Sequence, residues 1–351
     1  MLKLRQNLGE NYSPLYFLSA LGAGGLAVTF FMYLMFLTPH PDTPIPTFES
    51  WTTVFKNGDP LIQGMIGLAI SGIILFSLLH LRVLFWNVNE YRQFRKTTAF
   101  EKLTSSNAEV QLMAMPLTFA MSINVSFILG ALFVPKLWTV VEYLFPLAII
   151  AFAVTGFFAM SIFMRFLSRV LVNGSFDCSR NNNLSQMLAI FAFSMVSVGF
   201  SAAAAMSHTK LTSGIAMILA IMFLTVAVLL SVLKFVLGFR AMFEHGIDRE
   251  GTVSLWILIP IITLISITTF RLSMGMHHNF GTPIEPIQNL AMFSVFGGAQ
   301  LLFGILGYMV MKKLGYFKDY IHGEAKSIAS YALICPGVAA AVMAFFFIHI
   351  G

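Results

Sequence analysis

Nine apolar runs, each long enough to cross a bilayer, divide this chain of 351 residues. A hydrocarbon core of ~30 Å requires ~20 apolar residues in a helix, because each residue advances the helix by ~1.5 Å. The runs lie at 14–37, 61–86, 111–134, 138–171, 184–206, 211–240, 253–275, 287–311 and 325–350. The hydrophilic segments between them are too short for a second globular domain. The sequence therefore predicts an all-α polytopic membrane protein with a single transmembrane domain over residues 1–351.

The composition agrees with this prediction. Hydrophobic residues make up 58% of the chain and charged residues only 10%, whereas a soluble domain carries about 25% charged residues. The formal net charge of +6 comes from cations that flank the apolar runs. We therefore expect membrane lipids as partners and no nucleic acid.

The Lys and Arg residues fall on alternate sides of the apolar runs. Seventeen of the 21 lie on the side of the N-terminus, and such an excess is typical of cytoplasmic segments. We expect a plasma membrane protein (the inner membrane in bacteria) with a cytoplasmic N-terminus. The seventeen are Lys3, Arg5, Arg82, Arg92, Arg95, Lys96, Lys102, Arg165, Arg169, Arg180, Lys234, Arg240, Arg249, Lys312, Lys313, Lys318 and Lys326. The other side keeps Lys56, Lys136, Lys210 and Arg271.

Helix-breaking residues concentrate in the odd-numbered runs. Pro116, Pro260 and Pro336 lie within the third, seventh and ninth runs, while among the even runs only the fourth contains a proline. Proline removes a backbone donor and frees a carbonyl, which a lipid-facing helix tolerates poorly. The first run adds Gly22 and Gly24, which thin its surface. The pattern predicts that the odd helices lie inside and line a cavity, with the even helices outside.

Five stretches in order resemble the tellurite-resistance/dicarboxylate transporter (TDT) family, which includes the bacterial TehA proteins and the plant slow anion channels of guard cells. The first is SPLYFLSALGAGGL at 13–26, and the third run has a proline in a matching place. The others are VGFSAA at 198–203, LWILIP at 255–260 and SYALICP at 330–336.

This resemblance implies helical hairpins around a pseudo-five-fold central pore, assembled as a homotrimer. It implies an anion channel or transporter that passes small inorganic or organic anions down their gradient, with the ring of Phe200 as the pore gate. The pore-lining candidates are Gly22, Gly24, Pro116, Gly199, Ser201, Pro260, Cys335 and Pro336.

The chain departs from the family in three places. Leu18 stands where the family often carries a glycine, and Cys335 stands where an aromatic residue usually precedes the ninth-helix proline. The family also has a tenth helix, and nine are visible up to Gly351. Whether a tenth helix follows is left open.

Charged side chains are almost absent from the centres of the runs. Glu142, Arg165, Lys234 and Arg271 lie toward helix ends, where long side chains commonly reach an interface. Without a buried acid–base relay, the sequence favours a weak-binding conduit over a proton-coupled carrier.

Enzyme and cofactor chemistry have little support in the sequence. His277, His278 and Glu285 could form an outer metal site, but a hydrated loop explains them equally. We expect no catalytic residues, no metal and no cofactor. Cys178 and Cys335 are too far apart for a disulfide. The alternative function is a membrane redox or sensor protein that uses Cys335 within the membrane, where the thiol could also be a small buried hydrophobe.

Overall fold

The computed structural model describes residues 4–174, 176 and 182–351, so that Lys3, Cys178 and Arg180 lie outside the described residues. Nine helices in these ranges are long and apolar enough to cross a membrane, and the described residues contain no strand. The prediction of an all-α polytopic membrane protein is confirmed. The helices are α1 (Phe17–Leu37), α2 (Pro60–Phe94), α3 (Ala114–Phe133), α4 (Val141–Asn173), α5 (Leu188–Met206), α6 (Lys210–His245), α7 (Leu258–Phe280), α8 (Pro286–Lys313) and α9 (Ile334–His349).

The five odd-numbered helices form a closed inner ring. Going round the ring, α1 packs on α3, α3 on α5, α5 on α7, α7 on α9, and α9 on α1 again. The even helices lie outside: α2 contacts α1 and α3, α4 contacts α3 and α5, α6 contacts α5 and α7, and α8 contacts α7 and α9. Burial agrees, since 94% of the central part of α5 is buried but only 17% of that of α6 or α8.

All five inner helices begin in the same way, with a 3-10 segment that leads into the α-helix. These segments are Pro14–Tyr16, Asn107–Met113, Ser185–Met187, Glu250–Ile257 and Ile328–Leu333. Each contacts the next, so they form a second closed ring. We call this side of the bundle the entry end and the opposite side, where the inner helices finish, the exit end.

The prolines of the inner helices occupy the first helical turn. Pro116, Pro260 and Pro336 are each the third residue of their α-helix. Each 3-10 segment leads directly into this turn, as the N–H of Ala114 donates to the carbonyl oxygen of Gln111, and proline supplies no N–H at that junction. Within the continuous helical spans Asn107–Phe133, Glu250–Phe280 and Ile328–His349, these prolines mark the change from 3-10 segment to α-helix. The proline of an even run, Pro146, is the one inside a helix.

Close backbone approach at small residues closes the inner ring between α1 and α9. A Cβ built on Gly22 would lie 2.9 Å from two side-chain carbons of Ile334, and one on Gly25 would lie 3.1 Å from Val338. Two helices can approach this closely in a membrane only where side chains are small. Gly22 is thus a contact residue between neighbouring helices.

A fully buried histidine joins α1, α2 and α3. His80 lies with Nδ1 2.8 Å from the carbonyl oxygen of Ala20 and Nε2 2.9 Å from the hydroxyl of Ser122. A Cβ on Gly24 would lie 2.9 Å from Nδ1 of His80 and 2.6 Å from Met121. Gly24 therefore makes room for the histidine, and His80 lies in the bundle interior.

Buried carboxylates fasten the loops at the entry end. Glu90 accepts hydrogen bonds from the backbone N–H groups of Asn7 and Leu8, at 3.0 and 2.8 Å. Glu109 pairs with Arg169 at 2.9 Å, and the same guanidinium donates to the carbonyl oxygen of Ser106. A buried charge is tolerated when it is paired and hydrogen-bonded in this way.

Replacing Gly22 by alanine should weaken the closure of the inner ring. The added methyl group meets the branched side chain of Ile334, including its Cβ at 3.0 Å, which cannot move without its helix. Overpacking of this kind typically costs ~1–3 kcal/mol. We expect a lower melting temperature for Gly22→Ala in detergent. As the control, Gly337→Ala on α9 has nothing within 4 Å and should melt at or slightly above the wild-type temperature. Equal melting of both variants would contradict the close α1–α9 contact.

Candidate functional site: a cavity inside the inner ring

A cavity of about 200 Å³ lies inside the inner ring. All five inner helices line it, and α4 adds Phe145, Ala148 and Phe152. None of the described 3-10 segments contributes to the lining, so the cavity ends short of the entry end. At the other end it is bordered by Ile45, from the loop between α1 and α2, and by Met206, the last residue of α5.

The lining residues recur along each helix at intervals of three and four. This interval places them on one face of a helix with 3.6 residues per turn. The inner helices run in the same direction, so the first of each series is nearest the entry end. The series are Leu21, Gly25, Val28 and Met32 on α1; Met121, Asn124 and Ile128 on α3; Phe191, Met195, Val198 and Ala202 on α5; Pro260, Leu264, Ile267 and Arg271 on α7; and Cys335, Ala339, Val342 and Phe346 on α9.

The wall of the cavity is almost entirely apolar. Apart from Cys335, its polar side chains are Asn124, Thr263 and Arg271. Thr263 is fully engaged, since its hydroxyl donates to carbonyl oxygens of α7 and α9 and accepts from Gln300 of α8. The amide nitrogen of Asn124 has only the sulfur of Met195, at 3.6 Å, which is a weak acceptor.

Arg271 is the one charged residue in the lining formed by the described residues. Its Nη1 donates a hydrogen bond of 3.1 Å to the carbonyl oxygen of Val198 on α5. No carboxylate of the described residues forms an ion pair with it. The sequence indicated a cation near the outer end of the seventh helix. The structure adds what the sequence did not show: the side chain faces the cavity, nine residues before α7 ends at Phe280.

The ring of Phe200 lies outside the cavity wall. Phe200 is fully buried, with ring centroids 6.0 Å from Phe152 of α4 and 5.7 Å from Phe223 of α6. Phe200 is two positions after Val198, a rotation of about 200° around the helix, so it points toward the outer helices. The aromatic residue of α5 in the cavity lining is Phe191, in the layer nearest the entry end. This placement does not support Phe200 as the gate.

The other candidates divide into two groups. Gly199, Pro260 and Cys335 line the cavity. Ser201 is fully buried and donates to the carbonyl oxygen of Val198 at 2.9 Å, outside the lining. The remaining candidates outside the lining are Gly22, Gly24, Pro116 and Pro336.

A short cap covers the exit end beside the cavity. The helix Phe48–Asn57 is held by Trp51, whose indole N–H donates to the carbonyl oxygen of Leu132 at 2.8 Å. The backbone N–H of Lys136 donates to Glu49, and this hydrogen bond lowers the pKa of the Glu49 carboxyl. A lowered pKa means that the contact is present near neutral pH and is lost as pH falls through that pKa. The cap thereby holds Ile45 against the cavity.

His277 and His278, which with Glu285 were candidates for an outer metal site, do not form a metal cluster in the described part of the chain. Their rings lie 5.5 Å apart, and Nδ1 of His277 is 2.8 Å from the carbonyl oxygen of Thr282. No group of three or more His, Cys, Asp or Glu side chains suited to a metal ion occurs among the described residues. Cys178 lies outside them.

Comparisons with known proteins identify no relative. No family model matches the chain, and no curated protein and no solved structure matches it either. The resemblance to the TDT family therefore remains a hypothesis, and the function is inferred below from the geometry of the inner ring.

Phe200 and Phe191 should respond differently to truncation. Phe200→Ala removes a ring packed between α4 and α6, and large-to-small changes of this kind typically cost ~3–5 kcal/mol. Phe191→Ala should cost less, because one side of its ring faces the cavity. Unfolding of the purified variants in detergent, by heat or denaturant, measures the difference. A larger loss for Phe191→Ala would contradict the assigned orientation of α5.

Proposed function

We propose that this protein passes small anions across the membrane through its inner ring. The observation that carries the proposal is the charge of the cavity: a guanidinium and no carboxylate among the described lining residues. A cation in a low-dielectric wall attracts anions and repels cations over several ångströms. The resemblance to the TDT family points to the same function.

Two further features support passage of anions. The N-termini of all five inner helices meet at the entry end, and a helix N-terminus carries roughly half a positive charge. The cavity lining also contains no carboxylic acid or histidine in the described residues, which favours a conduit over a proton-coupled carrier. Transport through this ring requires no chemical step, so the proposed function is not enzymatic.

The orientation is part of the proposal. The Lys and Arg excess flanks the entry end, with residues such as Arg92, Arg95, Lys312 and Lys313 at or near the ends of α2 and α8. The positive-inside rule then makes the entry end cytoplasmic, in the plasma membrane or the bacterial inner membrane. A homotrimer is proposed on the resemblance alone.

Anion flux into liposomes that contain the purified protein tests the function. Chloride, nitrate, sulfite and a dicarboxylate should be compared, with potassium as the cation reference. We expect anion flux well above protein-free liposomes and no potassium flux. Potassium flux equal to chloride flux, or no flux of any anion, would overturn the proposal.

Phe191 should restrict this flux. Its ring stands in the lining layer nearest the closed entry end, so Phe191→Ala should raise anion flux severalfold. The matched control is Phe243→Ala on α6, whose side chain is 82% exposed on the outside of the bundle, and which should leave flux unchanged. Unchanged or lower flux in correctly folded Phe191→Ala would place the restriction elsewhere.

The orientation has its own test. With a cytoplasmic entry end, α9 ends on the other side of the membrane. A reporter that is active only outside the cytoplasm, fused after Gly351 and expressed in bacteria, should be active. A reporter that is active only in the cytoplasm should be silent at the same position. The reverse pair of results would reject the proposed orientation.

A further inference from the structure

The guanidinium of Arg271 has hydrogen-bonding capacity left over inside the cavity. Arginine carries five N–H donors in a rigid, planar fork, and the bond to the Val198 carbonyl oxygen engages Nη1. The side chain belongs to the cavity lining, where no carboxylate of the described residues pairs with it. Burial of a cation without a counter-charge is costly. A ligand that brings one negative charge would remove that cost.

We propose that the cavity binds a small monocarboxylate, with its carboxylate on Arg271 and its hydrocarbon part against the apolar wall. This inference rests on the anion-passing function proposed above, because it names the anion class for the same cavity. Three observations lead to it: the charge count, the shape of the charged group and the character of the wall.

The charge count favours a ligand with one negative charge. The described lining has a single cation, which neutralises one carboxylate. The second carboxylate of a dicarboxylate would lie against the apolar wall. The polar group available to it there is the side-chain amide of Asn124, whose nitrogen contacts the sulfur of Met195. An uncompensated charge in such surroundings is strongly disfavoured. We therefore expect monocarboxylates to bind more tightly than dicarboxylates of similar length.

The shape of the charged group favours a carboxylate over a halide. A guanidinium fork matches the two oxygens of a carboxylate with two parallel hydrogen bonds. The bond from Nη1 to the Val198 carbonyl oxygen fixes the plane of the fork. The edge formed by Nε and Nη2 is then the natural place for the ligand. A halide offers a single acceptor atom and cannot form two parallel hydrogen bonds with the fork.

The wall favours a ligand with a hydrocarbon part. Within one to two turns of Arg271 the lining consists of apolar groups, among them Ile267, Leu264, Val198 and Met195. An apolar cavity of ~150 Å³ is large enough to hold benzene, and this cavity measures about 200 Å³. Benzoate and butyrate therefore fit by volume, and burial of their hydrocarbon parts adds to the affinity.

Binding to the purified full-length chain tests the inference without any need for flux. The probes are benzoate, butyrate, succinate and chloride as sodium salts at constant ionic strength, and the measurement is the rise in melting temperature with probe concentration. We expect benzoate and butyrate to stabilise the protein at lower concentrations than succinate or chloride do. Arg271→Gln should weaken benzoate binding roughly 10- to 100-fold, the usual value of hydrogen bonds to a charged group.

Three variants act as controls. Arg271→Lys keeps the charge but loses the fork, so it should weaken benzoate binding more than chloride binding. Ile267→Phe keeps Arg271 and fills part of the cavity. It should therefore weaken the binding of benzoate more than the binding of formate, a further probe that has a carboxylate but no hydrocarbon chain or ring. This comparison does not depend on whether Arg271→Gln folds. Lys210→Gln removes an exposed cation at the start of α6 and should bind benzoate as the wild type does.

The outcomes separate the two proposals. Benzoate binding that depends on Arg271, in a protein that passes no anion, supports the binding site and overturns the proposed transport. Anion flux in a protein that binds benzoate no better than chloride or succinate overturns the inference and leaves the transport proposal standing. Benzoate binding unchanged in folded Arg271→Gln or in Ile267→Phe also overturns the inference.

Discussion

The closed contact of the five inner helices is the constraint on which the rest of the structure depends. In a membrane, backbone polar groups must be satisfied within helices or closed barrels, and in this all-α protein a ring of helices encloses the cavity. Closing that ring requires two backbones to approach, and Gly22 and Gly25 on α1 allow this against Ile334 and Val338 on α9. The 3-10 segments form a second closed ring at the entry end. The cavity exists because the ring closes.

A single charged side chain gives this ring its chemical character. Insertion of arginine at the centre of a membrane helix costs ~2.5–3.5 kcal/mol, so its presence in an otherwise apolar lining calls for a compensating interaction. The bond from Arg271 to the Val198 carbonyl oxygen supplies part of it, and it also couples α7 to α5. The positive charge of Arg271 is the basis of the proposal that the cavity admits anions. Its remaining N–H donors are the basis of the proposal that the cavity binds a carboxylate.

The sequence predicted the helices well and their rotation poorly. Apolar length determined the nine spans, and the crowding of Pro116, Pro260 and Pro336 on odd runs pointed to the inner helices. The inner position of these runs agrees with the structure, where the three prolines mark the change from 3-10 segment to α-helix. The face that each helix turns toward the cavity is harder to predict, since α5 is buried on nearly every side and neither Phe191 nor Phe200 stands out in a pattern. The spacing of Phe191, Met195, Val198 and Ala202 recurs in Phe193, Ser197, Phe200 and Ala204, so spacing alone does not identify the cavity face.

Because α5 is buried on all sides, its sequence does not show which of its faces lines the cavity. Residues from Phe191 to Ala202 at intervals of three and four face the cavity, while Phe193 and Phe200 pack against Phe163 and Phe223 of the outer helices. Both faces therefore need apolar residues, one to form the wall and one to fill the bundle. On α7 the same spacing ends in Arg271, and there a polar residue breaks the uniformity. A charged residue on an inner-helix lining series is thus the most informative feature that a chain of this composition can offer.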